Sequence, residues 1–156
     1  MNDQYKNSYK ATAKELVSLS VYNVGYQLCD AGYQWGPGIR DHYLIHYVIS
    51  GKGTYEVNNE THFLSAEDAF LVYPNTEIIY RADAKTPWEY AWVGFTGSDA
   101  ATILQATDFS RKHPCIHAVP NGEEVKRQLL HIYDARGNGF EHICSSSNNS
   151  KGTGVK

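Results

Sequence analysis

The sequence predicts a mainly β chain, a sandwich or barrel followed by helices. Three observations carry this. Residues 16–95 break into at least seven short runs rich in β-branched and aromatic residues, with turn signals every 8–12 residues. Several runs alternate apolar and polar residues, the period of a half-buried strand. After Gly97 the texture changes to helical spacing. With 156 residues the chain has one domain's length, enough for a proper core.

Residues 1–15 are polar and read as a flexible N-terminal arm, and residues 16–97 as the barrel. "LVSLSVYNVGYQLC" (16–29) reads as strand, with Cys29 packed inside it, and "DAGYQWGPGIRD" as a Gly/Pro loop. Residues 42–50 form a strand, "SGKG" turns it, and residues 54–58 return. "NNE" (58–60) is a second turn, residues 61–64 pair again, and "AFLVY" (69–73) is a buried strand. Pro74-Asn75 turns the chain; 77–82 and "WEYAWVGF" (88–95) are two more strands.

Residues 98–136 read as a helical segment around a short extended stretch, 113–120. Ser98 is an N-cap candidate for a short helix. Asn121 and Glu124 suggest a capping-box variant for a second, whose Val125, Leu129, Ile132 and Tyr133 share one face. That face packs on the barrel, on a partner, or on both. Residues 137–156 are Ser/Asn/Gly-rich and read as a disordered tail or truncation end.

Composition excludes several classes. A net charge of -3 and a pI near 6.1 do not suit a nucleic-acid reader. Cys29, Cys115 and Cys144 are odd in number and far apart, which argues against disulfides and zinc. The N-terminus has no signal-peptide core and no apolar run is long enough to span a membrane, so the cytoplasm is expected. The 12 tyrosines exceed what a core alone needs and point to a pocket or an interface.

A hairpin with inward histidines suggests a cupin, a double-stranded β-helix or jelly-roll barrel. Its metal motifs are H-x-H-x(3,4)-E-x(6)-G and P-x-G-x(2)-H. With Gly51 on the closing glycine, the glutamate position falls on Leu44 and a histidine position on or beside Arg40. With Pro74 on the second motif, its glycine becomes Asn75 and its histidine Ile78. Leu and Ile cannot ligate a cation and Arg repels one. His42 and His46 stand about 13 Å apart along a strand, too far for one ion. No metal, no cofactor and no catalysis are therefore expected.

The same face carries Arg40, His42, Leu44, His46 and Val48 on the first strand, Ile78 and Tyr80 after Pro74, and Trp88, Tyr90 and Trp92 on the last. A sugar pocket needs a flat aromatic ring and a few hydrogen-bonding groups around it. Arg40, His42, His46, Tyr80, Trp88, Tyr90 and Trp92 supply that set and are the candidate ligand-binding residues. Each also has a plain alternative: a core ring, a satisfied histidine, a salt bridge at a barrel mouth.

"DHYLIHYVISGKGTYEV", "FLSAEDAFLVYPNTEIIYRAD" and "PWEYAWVGFTG" together resemble the N-terminal effector domain of AraC/XylS-type transcription regulators, above all Firmicute regulators of sugar operons. The resemblance covers roughly residues 16–136. It implies a cupin-like barrel that binds a small effector, usually a sugar, and a helical segment that makes a homodimer. In the arabinose-responsive members, the tryptophan matching Trp92 stacks on the sugar. Tyr90 matches that tryptophan's polar neighbour two residues earlier, Tyr80 matches the tyrosine after the Pro turn, and a pocket histidine there is replaced by Ile78. In such relatives an N-terminal arm closes over the sugar, a part residues 1–15 could play. DNA is read by a C-terminal helix-turn-helix half absent from these residues. The expected function is non-catalytic sugar sensing and dimerisation; the rivals are a metal-dependent cupin enzyme and a filled barrel that serves only interaction.

Overall fold

The computed structural model describes residues 19–136, so the readings for residues 1–15 and 137–156 lie outside it. Among the described residues nine strands and two helices follow one another: β1 (Ser20–Leu28), β2 (Gln34–Ile39), β3 (Tyr43–Ser50), β4 (Lys52–Val57), β5 (Glu60–Ser65), β6 (Ala69–Val72), β7 (Glu77–Ala82), β8 (Glu89–Thr96), α1 (Ala100–Leu104), β9 (Cys115–Ile116) and α2 (Gly122–Arg136). They form two antiparallel sheets in the orders β1-β8-β3-β6-β9 and β2-β7-β4-β5. Except at the β4–β5 hairpin and between β8 and β9, consecutive strands cross from one sheet to the other, which gives the jelly-roll barrel of the cupin type.

Local chemistry sets the turns. Between β4 and β5, Asn58 and Asn59 both take positive φ, 54° and 63°. A tight two-residue hairpin turn demands this, and asparagine tolerates it. Gly51 joins β3 to β4 at φ 75°, where a Cβ would stand 2.3 Å from the Pro87 carbonyl oxygen.

Two expectations need correction. The Gly/Pro stretch expected to be a loop contains β2. That strand lies at a sheet edge and pairs only with β7, so Pro37 forfeits no ladder bond on its open side, and the register slips between Trp35 and Gly38. The helix caps also differ. The residue preceding α1 is Asp99, with no side-chain cap bond, instead of Ser98. Glu124 does not reach back to Asn121; its carboxylate accepts from Arg127 at 2.7 and 3.1 Å and from Gln128 at 2.7 Å. Asn121 instead offers its carbonyl to the amides of Glu124 and Val125.

The barrel interior holds one core, with Leu44, Val48, Tyr55, Phe70, Val72, Ile78, Trp88 and Tyr90 buried. A second core lies outside the larger sheet: Tyr47, Ala69 and Ala91 pack with Leu129, and Val93 and Val125 join them half-buried. Thus α2 docks on its own barrel, over β1, β8 and β3. Tyr133 meets Tyr26 at 6.2 Å, and the Tyr26 hydroxyl donates to Glu89, which also accepts from Ser50 Oγ at 2.8 Å. The Ile132 side chain lies outside the described set. Cys29 and Cys115 are free thiols; Cys29 is buried one residue beyond β1.

Candidate functional site

Alternation along the strands places the candidate side chains. On the inner face of the larger sheet, cross-strand rows read Gly25–Trp92–His46–Phe70 and Asn23–Gly94–Leu44–Val72. On the smaller sheet, Tyr80 stands opposite Trp35 on one side and Tyr55 on the other.

His46 is the hub. Its ring lies parallel to Phe70, centroids 4.5 Å apart, and meets Tyr90 at 4.8 Å, Tyr80 at 4.9 Å and Trp92 at 5.7 Å. Burial holds its proton affinity well below the ordinary histidine value of 6.5, and the nearby Arg40 guanidinium pushes it the same way. The imidazole is neutral, and its Nδ1 is buried without a partner. Because the unfolded chain binds that proton more readily, stability is fully present above pH 6.5 and falls as pH drops below it. Once the unfolded histidine is charged, the slope approaches about 1.4 kcal/mol per pH unit. Urea titrations between pH 7 and 5 should show this slope in the wild type and lose it in His46→Phe.

Arg40 spans the rim. It donates to the Tyr80 hydroxyl at 3.2 Å, and its guanidinium carbon lies 3.9 Å from the centre of the Trp35 ring. Trp35 in turn stacks on Tyr80 at 5.6 Å. The Arg40 Nε is buried and unbonded. Burial raises the Tyr80 phenol to about 12 although Arg40 opposes it, and burial raises Tyr90 as well. Both phenols are therefore neutral.

Trp92 is half-buried and lies flat over Gly25, where a Cβ would stand 2.0 Å from its ring. Only a residue without a side chain at position 25 leaves room for the indole to rest against β1. Arg40, His46, Tyr80, Tyr90 and Trp92 thus form one connected group.

Of the other two candidates, Trp88 meets the group only through Tyr90, and His42 has its own neighbours. Trp88 is fully enclosed beneath Tyr90, in contact with Phe70 and Tyr90 at 5.6 Å each. His42 sits just before β3, 6% exposed, with Tyr22 stacked on it at 4.1 Å. At the positions matched to metal ligands, Leu44 and Ile78 belong to the core. Among the described residues no three His, Cys, Asp or Glu side chains gather where they could hold a metal ion.

The sequence reading missed Trp35, because a tryptophan inside a Gly/Pro stretch reads as loop. It also missed Asn23 and Gly25, although Asn23, Gly25 and Gln27 form a polar and small face unlike a core face.

Fold and site together define a barrel-type small-molecule-binding domain. The chain belongs to the family of AraC-like ligand binding domains, whose model matches residues 20–147. It is 42% identical over 97 residues to the Msm operon regulatory protein of Streptococcus mutans, covering 62% of this chain and 35% of that one. It is 37% identical over 127 residues to the raffinose operon transcriptional regulatory protein RafR of Pediococcus pentosaceus, covering 80% and 46%. To the lactose operon transcription activator of Staphylococcus xylosus it is 26% identical over 105 residues, covering 67% and 38%. The aligned part is thus less than half the length of each of these relatives. Among solved structures, an RmlC-like cupin from Shewanella frigidimarina matches at 18% identity and a TM-score of 0.43, covering 55% of this chain and 72% of that chain. Among the described residues no helix is long and apolar enough to cross a membrane.

Proposed function

We propose that the chain is the non-catalytic, sugar-sensing part of a cytoplasmic AraC-type transcription regulator, with the ligand held between Trp92, His46, Tyr80, Tyr90 and Arg40. The observation that carries this is the Arg40–Tyr80–His46–Trp92 group itself: a half-buried indole face beside neutral hydrogen-bonding rings and a guanidinium with a free Nε. A sugar offers an apolar C–H face to the indole and hydroxyls to the rest. The raffinose and lactose operon relatives support a sugar as effector. DNA contact and homodimerisation are properties proposed for the whole regulator; α2 presents its outward face for the latter.

Thermal melting against galactose, melibiose, raffinose and lactose tests the reading. At about 100 times its Kd, a ligand adds about 2.7 kcal/mol. That is a rise of roughly 5–10 °C for a domain of this size. Trp92→Ala should melt near the wild type without ligand and lose the rise. No rise with any sugar, or a rise that survives Trp92→Ala, would overturn the assignment.

A further inference from the structure

Among the described residues the two sheets end in four edge strands, β1, β9, β2 and β5. Three of them are blunted. β9 is only two residues long, β2 carries Pro37 and slips in register, and β5 opens on Glu60. Short strands, prolines and charges keep a sheet edge from pairing with another chain. β1 has none of them. It is the longest strand among the described residues, nine residues over Ser20–Leu28, and it pairs only with β8. Its sequence, SVYNVGYQL, holds no charge and no proline, and Val21 and Leu28 are 59% and 67% exposed. The register slips between Val21 and Asn23, near the start of the strand, and residues 23–28 then run unbroken against β8.

Such an edge accepts an uncharged strand, and β1 fits itself. Laid antiparallel on a second β1 with the two Gly25 residues opposite each other, Val24 stands opposite Tyr26 of the copy and Asn23 opposite its Gln27. Twofold symmetry repeats each pair. Val24 and Tyr26 share the face of their β8 partners Val93 and Ala91, the side on which α2 sits. Asn23, Gly25 and Gln27 share the opposite face with Trp92 and Tyr90. Both faces of the seam are thus self-complementary: a β-branched residue meets an aromatic ring, and a carboxamide meets a carboxamide. The twofold axis of an antiparallel pair is perpendicular to the sheet. Two five-stranded sheets would join into one of ten, with both α2 helices on the same side.

We propose that β1 is a self-association edge, through which two copies of this chain pair antiparallel about Gly25 into one continuous sheet. The partner is a second copy because an uncharged strand offers a charged segment nothing to hold and meets its own copy without repulsion. This seam is distinct from the outward face of α2, and it does not depend on what the barrel binds.

Sedimentation equilibrium of the 156-residue chain should show a dimer, and raising the concentration through the transition should slow hydrogen exchange at the β1 amides. Val24→Lys and Val24→Glu each put like charges diagonally across the seam, about 7–8 Å apart. Each should weaken the dimer about tenfold or more while the far-UV circular dichroism stays that of the wild type. Mixed in equal amounts, the two variants should associate about as tightly as the wild type, a rescue that a folding defect would not allow. Should a variant fail to fold, exchange in the wild type decides alone. A monomer at every concentration up to about 1 mM, a dimer indifferent to both variants, or β1 exchange that ignores concentration would each overturn the seam. A dimer with either of the last two results would be one formed elsewhere, as on α2.

Discussion

Phe70→Ala should lower the unfolding free energy by about 3–5 kcal/mol, the cost of deleting a fully buried ring without collapse of its surroundings. Phe70 has no exposed surface, and four rings close on it: His46 at 4.5 Å, Tyr55 at 4.6 Å, Tyr80 at 5.5 Å and Trp88 at 5.6 Å. Two of these neighbours are themselves pinned. Tyr55 donates to the Leu71 carbonyl at 2.9 Å, and Tyr80 accepts from Arg40. They cannot move into the void without breaking those bonds, so most of the cavity should persist. Calorimetric melting should show a drop of roughly 6–20 °C. A drop of only a few degrees would mean that the interior repacks freely, and the stack of rings described here would not be the source of its rigidity.

Gly25→Ala should behave in the opposite way, costing little stability and most of the ligand binding. The new methyl would stand 2.0 Å from Trp92 Cζ2. The obstacle is the far end of a side chain, so the indole swings aside; overpacking of this kind costs about 1–3 kcal/mol at most. The displaced ring no longer offers its face. Losing apolar contact with a ring of this size forfeits about 1.5–3 kcal/mol of binding, roughly 10- to 150-fold in Kd. Tryptophan emission and sugar affinity, measured on the same sample, check both halves. A variant that melts as the wild type and binds sugar as the wild type would show that Trp92 is not the stacking surface.

Much of the barrel was legible because strand alternation is a local signal. "HYLIHYVIS" and "WEYAWVGF" each put one set of residues inward, and the structure keeps those sets. The edge strand β2 was not legible. Its glycines and proline read as loop, and only its pairing with β7 makes it a strand. The helix ends were misread for a related reason: Asn121 has φ 57°, so its side chain does not serve α2 as a capping box would, a geometry that residue type alone does not reveal.

Within the site, the inward histidine, arginine and aromatic residues follow from alternation, but depth does not. Nothing in the spacing of Trp88, Tyr90 and Trp92 says that the first is sealed beneath the second while the third reaches the rim. Asn23 depends on a bulge, and a one-residue irregularity in β1 leaves no composition signature.

The two sides of β8 answer to different neighbours. Tyr90 and Trp92 face the barrel interior, whereas Ala91 and Val93 belong to the packing under α2. Because the pleat assigns them in strict alternation, substitutions at one set leave the other set's contacts in place. Descendants of such a domain can therefore acquire a new effector through one half of this strand while inheriting the helix seat through the other. A single eight-residue segment thus holds two separately evolvable traits.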